Sequence, residues 1–222
     1  MTKLVRVAAG FAFLLSPSFA ATILYDFGSI AGGPLGAAQE TISGVPGGGP
    51  SLTAYGYTAA NVPLDLYWKN AGTDEHGLGF VGTLDNEETL NARGTAYANY
   101  MEIGVAPILS YTGAQVRIQS VTAGESWDLW GTNTLGNDST FVLLLSAQTA
   151  DNVFVSLPDW GTYQYYAVTT HPDPSSPDNN ILFDSIKANA PTPEPGTLPM
   201  MAGGVMLAFA LCRKVRRLPR YR

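Results

Sequence analysis

What most constrains this chain is the rhythm of its middle. Helical periodicity is nearly absent there. Short apolar or alternating runs are separated by Gly, Asn, Asp and Pro. In Ser51–Thr58 the small and apolar Leu52, Ala54 and Gly56 fall on one face and Tyr55 and Tyr57 on the other. Thr22–Gly28, Leu64–Lys69, Tyr100–Val105, Gln115–Thr122, Ser126–Trp130, Thr140–Ala147, Thr162–Thr169 and Asn180–Lys187 continue the pattern. Period-two alternation with turn signals roughly every ten residues predicts an all-β sandwich or barrel. The Thr, Tyr and Val content agrees, since these side chains fit a pleated, half-buried surface. No repeat of fixed period is present, which disfavours a propeller or solenoid. The expectation is a single β-sandwich over residues 21–190, of the jelly-roll or galactose-binding kind. In such folds the first and last strands often lie side by side, which would let Asp26 and Asp184 approach. Gly44–Pro50 reads as a turn or flexible loop, and Thr170–Asn179 as a long surface loop.

The two ends are built differently. Lys3 and Arg6 precede an apolar Val7–Leu15, and Ser18-Phe19-Ala20 places small residues where a signal peptidase reads. This is the pattern of a secretory signal peptide over residues 1–20, cut between Ala20 and Ala21. At the other end a Pro-rich linker, residues 191–197, leads to an uncharged segment, residues 198–212, and a basic tail, residues 213–222. As a helix, Leu198–Cys212 would run roughly 22 Å, short of the about 30 Å of a hydrocarbon core. Arginines directly after an apolar run mark the cytoplasmic side. The bulk of the chain is therefore expected outside the membrane.

Pro193-Glu194-Pro195-Gly196-Thr197, then a short Gly-containing apolar span, then a basic end resembles the PEP-CTERM sorting signal of Gram-negative bacteria. The resemblance implies recognition by an exosortase at Pro193, Glu194, Pro195 and Thr197. It implies removal of the tail after transient residence in the inner membrane, and a final place at the cell surface or outside it. Proteins with this signal accompany exopolysaccharide and biofilm production. The run from Lys69 through Gly72, Asp74, Glu75 and Gly77-Leu78-Gly79 is similar to a segment of other PEP-CTERM ectodomains.

Charge and cysteine usage narrow the function. Between Ala21 and Ala190 the basic residues are Lys69, Arg93, Arg117 and Lys187, 4 against 17 acids, a net of about −13. Such a domain does not bind nucleic acid, which demands a basic face. The single cysteine, Cys212, lies in the tail, so the exported part has no internal disulfide and must rest on its core.

Asp74, Glu75 and His76 among glycines, with Asp85, Asn86, Glu87 and Glu88 beyond, form the densest polar cluster. Hard cations take six to eight oxygens. A calcium ion held by Asp74, Glu75, Asp85 and Glu87, with Asp26 and Asp184, is one reading; solvated acidic turns are the other. The acids are plentiful, but no pair stands out for glycoside hydrolysis. Two histidines, His76 and His171, are few for zinc, and His76 reads as a loop residue. No Gly-x-Ser-x-Gly elbow and no phosphate loop is present. Trp160 and Tyr163 are candidates to stack on a sugar, whereas Trp68 and Trp127 read as core. Asn137-Asp138-Ser139 reads as a turn. The sequence thus points to a non-enzymatic surface or matrix protein, with a carbohydrate-binding module as the alternative and a glycan hydrolase as a third.

Overall fold

The computed structural model describes residues 20–28, 32–46, 49–71, 75–81, 99–172 and 180–192, and the backbone alone at 90–93 and 96–97. The chain divides into Ala21–Pro191 and a second unit of Met1–Ala20 with Thr192–Arg222. Of the second unit only Ala20 and Thr192 are described. The expected signal peptide, apolar span and basic tail, with Pro193, Glu194, Pro195 and Thr197, therefore lie outside the described residues. No helix among the described residues is long and apolar enough to cross a membrane.

Ala21–Pro191 is built of strands, with two short 3-10 turns at Ala106–Ile108 and Asp138–Thr140. In chain order the strands are β1 (Thr22–Asp26), β2 (Gly33–Pro34), β3 (Gln39–Ser43), β4 (Ser51–Thr58), β5 (Leu66–Asn70), β6 (His76–Phe80), β7 (Leu90–Arg93), β8 (Ala96–Tyr97), β9 (Asn99–Gly104), β10 (Thr112–Gln119), β11 (Trp127–Thr132), β12 (Val142–Gln148), β13 (Phe154–Ser156), β14 (Tyr165–Thr170) and β15 (Asn180–Asn189). They form two antiparallel sheets. The smaller runs β12-β11-β14-β9-β4-β3. The larger runs β13-β10-β15-β6-β5-β2, with β1 and β7 also pairing β15, and β8 pairing β7.

One apolar core joins the inner faces of both sheets. Tyr25, Leu66, Phe80, Val116 and Phe183 come from the larger sheet, and Leu52, Met101, Ile103, Leu129 and Val168 from the smaller. The alternation read in Ser51–Thr58 is the alternation that buries Leu52 and Ala54 completely. Trp68 and Trp127 are core residues, 2% and 0% exposed. The fold is thus all-β and sandwich-like, and it needs no covalent staple because it encloses a continuous core.

Two local expectations need correction. His76 is not a loop residue: it opens β6, whose Gly77 and Leu78 pair with Lys69 and Trp68 of β5. The glycines of that acidic run thus belong partly to a strand. Gly44–Pro50 is not wholly a free loop either, for Val45 and Leu24 exchange backbone hydrogen bonds of 2.8 and 2.9 Å.

Candidate functional site

The site forms where β15, inside the larger sheet, changes neighbours. Along one flank it pairs with β1, from Thr22↔Asn189 to Asp26↔Ser185. One step further it pairs with β6 at Phe183↔Leu78. Along the other flank it pairs with β10, and there the register slips: Arg117 faces Ser185 while Ile118 faces Phe183. Asp184 is the extra residue. A β-bulge of this kind re-aims a side chain out of strict alternation. Here it sets the Asp184 carboxylate among the residues of β10 that point away from the core.

A polar recess of about 370 Å³ opens at this junction, lined by Asp26, Gly28, His76, Arg117, Gln119, Asn152 and Asp184. Asp184 is 1% exposed. Its Oδ2 accepts from Arg117 Nε and from the Ser185 hydroxyl, and its Oδ1 accepts from Gln119 Nε2 at 3.0 Å. Burial pushes its pKa above the usual carboxylate range, the Ser185 and Arg117 hydrogen bonds pull it down, and nearby Asp26 adds to the rise. Gln119 ties the walls together. Its Oε1 accepts the backbone N–H of His76 at 3.0 Å, and its Nε2 also reaches Asn152 Oδ1 at 3.4 Å.

Gly28 keeps the recess open. A methyl group there would sit 2.6 Å from Asp184 Oδ1, 3.0 Å from His76 Cβ and 3.4 Å from Asp26 Oδ1. The Gly28 N–H donates to Asp26 Oδ1 at 2.9 Å. Four strands, β1, β6, β10 and β15, and the loop of Asn152 thus present carboxylate, imidazole, guanidinium and amide groups to one opening. This mixture of donors and acceptors, held by side chains bonded to each other, is suited to fixing the hydroxyls of a ligand without rearrangement.

The sequence candidates fall in different places. Asp26 and Asp184 do meet, as the pairing of first and last strands allows. Glu75 does not line the recess and takes Lys69 Nζ at 3.2 Å. Asp74, Asp85 and Glu87 lie outside the described residues. Among the described residues no three His, Cys, Asp or Glu side chains are placed to hold a metal ion. Trp160 donates Nε1–H to the Tyr111 carbonyl at 2.7 Å and stacks on Tyr166, with centroids 5.7 Å apart. Tyr163 meets Tyr166 edge-on, and both side chains pack on the core. Neither lines the recess. Asn137 caps a 3-10 turn through the Ser139 N–H, as the turn reading expects.

His171 holds Asp128 through Nδ1, at 2.9 Å to Oδ1. Asp128 also accepts the Ala147 N–H. This pair fastens β14 and β12 to β11, and it is a tie between strands in this arrangement.

Arg117, Gln119 and Asn152 escaped the sequence reading. Alternation alone marks Arg117 and Gln119 as outward residues of β10. It carries no sign of the bulge that brings Asp184 to them.

No protein-family model and no curated protein sequence matches the chain. Among solved structures it is similar to a DUF4465 family protein from Bacteroides ovatus ATCC 8483, at 10% identity and a TM-score of 0.28, over 76% of this chain and 98% of that one. A likeness of that strength carries neither fold detail nor function across.

Proposed function

We propose that this is an exported, non-enzymatic protein of the cell surface or extracellular matrix whose recess binds hydroxyl groups of an exopolysaccharide. Export and sorting rest on the order of parts at the two ends. Signal peptidase would act between Ala20 and Ala21, and an exosortase at the Pro193-Glu194-Pro195 motif. Among sandwich architectures, the galactose-binding or jelly-roll type suits this reading.

The observation that carries the binding role is the recess itself. Gln119 and Asp184 are buried and mutually bonded, so the walls are fixed before any ligand arrives. Hydrolysis is a poorer reading. A glycosidase needs one carboxyl to give a proton and another to attack or to activate water, whereas Asp184 is held by three protein donors.

The test is calorimetric titration of residues 21–191 with a panel of neutral and acidic oligosaccharides. Gly28→Ala fills the recess, and Asn152→Gly removes one amide while keeping a backbone whose φ of 52° glycine accepts readily. Saturable binding that both variants weaken by about tenfold or more, roughly 1.4 kcal/mol, would support the reading. Binding untouched by either variant, or no binding across the panel, would remove it. Repeating the titration with calcium and with chelator asks whether the Asp74–Glu75 segment adds a metal.

A further inference from the structure

We infer that the ligand of this recess is an acidic glycan, bound through a carboxylate between Arg117 and Lys187. This rests on the reading of the recess as a saccharide site and names the class of saccharide.

Two of the four basic residues between Ala21 and Ala190 converge on one aromatic ring, although they belong to different strands. Phe154 of β13 stands opposite Arg117 of β10. The Arg117 guanidinium carbon lies 5.0 Å from the Phe154 centroid, and Lys187 Nζ lies 3.8 Å from it. The ring therefore gathers two like charges that would otherwise separate, each attracted by its π-electrons.

Neither cation is fully used. Arg117 gives its Nε to Asp184. Its terminal nitrogens make no hydrogen bond to any described residue. That anchoring fixes the plane of the fork and leaves its far edge to a carboxylate, the group that a guanidinium grips with two parallel bonds. The Arg117 side chain is 25% exposed, so that edge is within reach of solvent. Lys187 pairs with no carboxylate among the described residues, and Lys69 is occupied by Glu75. Asp26 and Asp184 are the acids that line the recess. In formal charge Arg117 and Lys187 balance Asp184 and Asp26, so this patch is near neutral within a strongly acidic domain. The segment Ala21–Ala190, with a net charge near −13, repels acidic polymers over most of its surface. Arg117 lines the hydroxyl-binding recess and Lys187 stands beside it on the Phe154 ring, and this pair of cations is the local exception that selects a sugar acid over a neutral sugar.

The experiment titrates residues 21–191, which carry every core residue named above, with trigalacturonate, its methyl ester and neutral trigalactose. Chelator is present throughout, so that no calcium ion bridges protein and ligand. Trigalacturonate should bind at least tenfold more tightly than the ester or the neutral sugar. The preference should shrink as sodium chloride rises from 50 to 500 mM, because the charges are solvent-accessible. Lys187→Met should cut trigalacturonate affinity about tenfold. Arg117→Lys keeps a cation for Asp184, and hence the fold, but loses the fork; it should cost as much with an unchanged melting profile. Ester and acid bound equally well would overturn the acidic-glycan inference and leave the saccharide reading standing. Acid binding unaffected by both variants would also overturn it. No binding of any oligosaccharide, charged or neutral, would end both.

Discussion

Glu102 is the residue whose chemistry departs most from its surroundings. It sits on β9 with no exposed surface, and its Oε1 has no hydrogen-bond partner among the described residues. Its Oε2 accepts the Gly136 N–H at 2.6 Å. Burial pushes its pKa up to about 7, and the Gly136 bond only partly opposes this. The folded state therefore holds a proton that the unfolded chain releases near pH 4.5. Stability from this group is complete below that pH and is lost as pH rises towards 7. Each pKa unit is worth about 1.4 kcal/mol, so the charged form costs the fold roughly 3 kcal/mol at pH 8. Glu102→Gln should melt several degrees above the wild type at pH 8 and close to it at pH 4, by calorimetry in matched buffers. Gly136 itself has a φ of 67°, and a Cβ there would meet the Tyr57 ring at 3.0 Å. Gly136→Ala should lower stability by about 1 kcal/mol or more, visible in urea unfolding. At this scale the sequence is informative about cores and silent about networks. Trp68 and Trp127 stand out as core because each sits in an alternating run. Glu102 does not, because its hydrogen-bond partner is Gly136, in a loop 34 residues further on.

At the scale of the element, β12 is the strand least protected. It ends the smaller sheet, with β11 as its partner. Its sequence, VLLLSAQ, has no charge, no proline and no glycine. Val142 and Leu143 are each 47% exposed. Edge strands in most proteins are blunted by Lys, Pro or a twist, because an open ladder invites another strand. The register shifts between β11 and β12 supply some of that twist, and the opposite edge, β3, carries Glu40. Leu143→Lys should raise the concentration at which residues 21–191 self-associate, measured by light scattering, and leave the melting temperature within a degree or two. Val62→Lys, at a more exposed site between β4 and β5, should not change self-association. Long alternating strands such as β4 and β15 are legible from sequence because each residue reports its face. Two-residue β2 and three-residue β13 are not, since a run that short has no period. β6 was hidden differently: His76-Gly77-Leu78-Gly79 has a turn's composition, and pairing with β5 and β15 makes it a strand.

For the molecule as a whole, the decisive strand is the last. β15 spans Asn180–Asn189 and lies between β10 on one side and β1 and β6 on the other, and its first two residues pair with β7. It supplies Ile181, Phe183, Ile186 and Ala188 to the core and Asp184 to the recess. A chain cut at residue 179 should therefore show no cooperative unfolding transition, whereas residues 21–191 should show one, by circular dichroism on heating. The first and last strands end together, with the Ala190 N–H donating to the Ala21 carbonyl at 2.8 Å.

That placement has a temporal meaning. A ribosome adds about 5 to 20 residues per second, so roughly 10 to 30 seconds separate the synthesis of β1 from that of β15. During that interval the larger sheet lacks its keystone, and β1 and β10 have nothing to close upon. On the export proposed above, the chain must stay loose enough to thread a narrow channel, and this topology postpones closure until nearly all of the sandwich has been made.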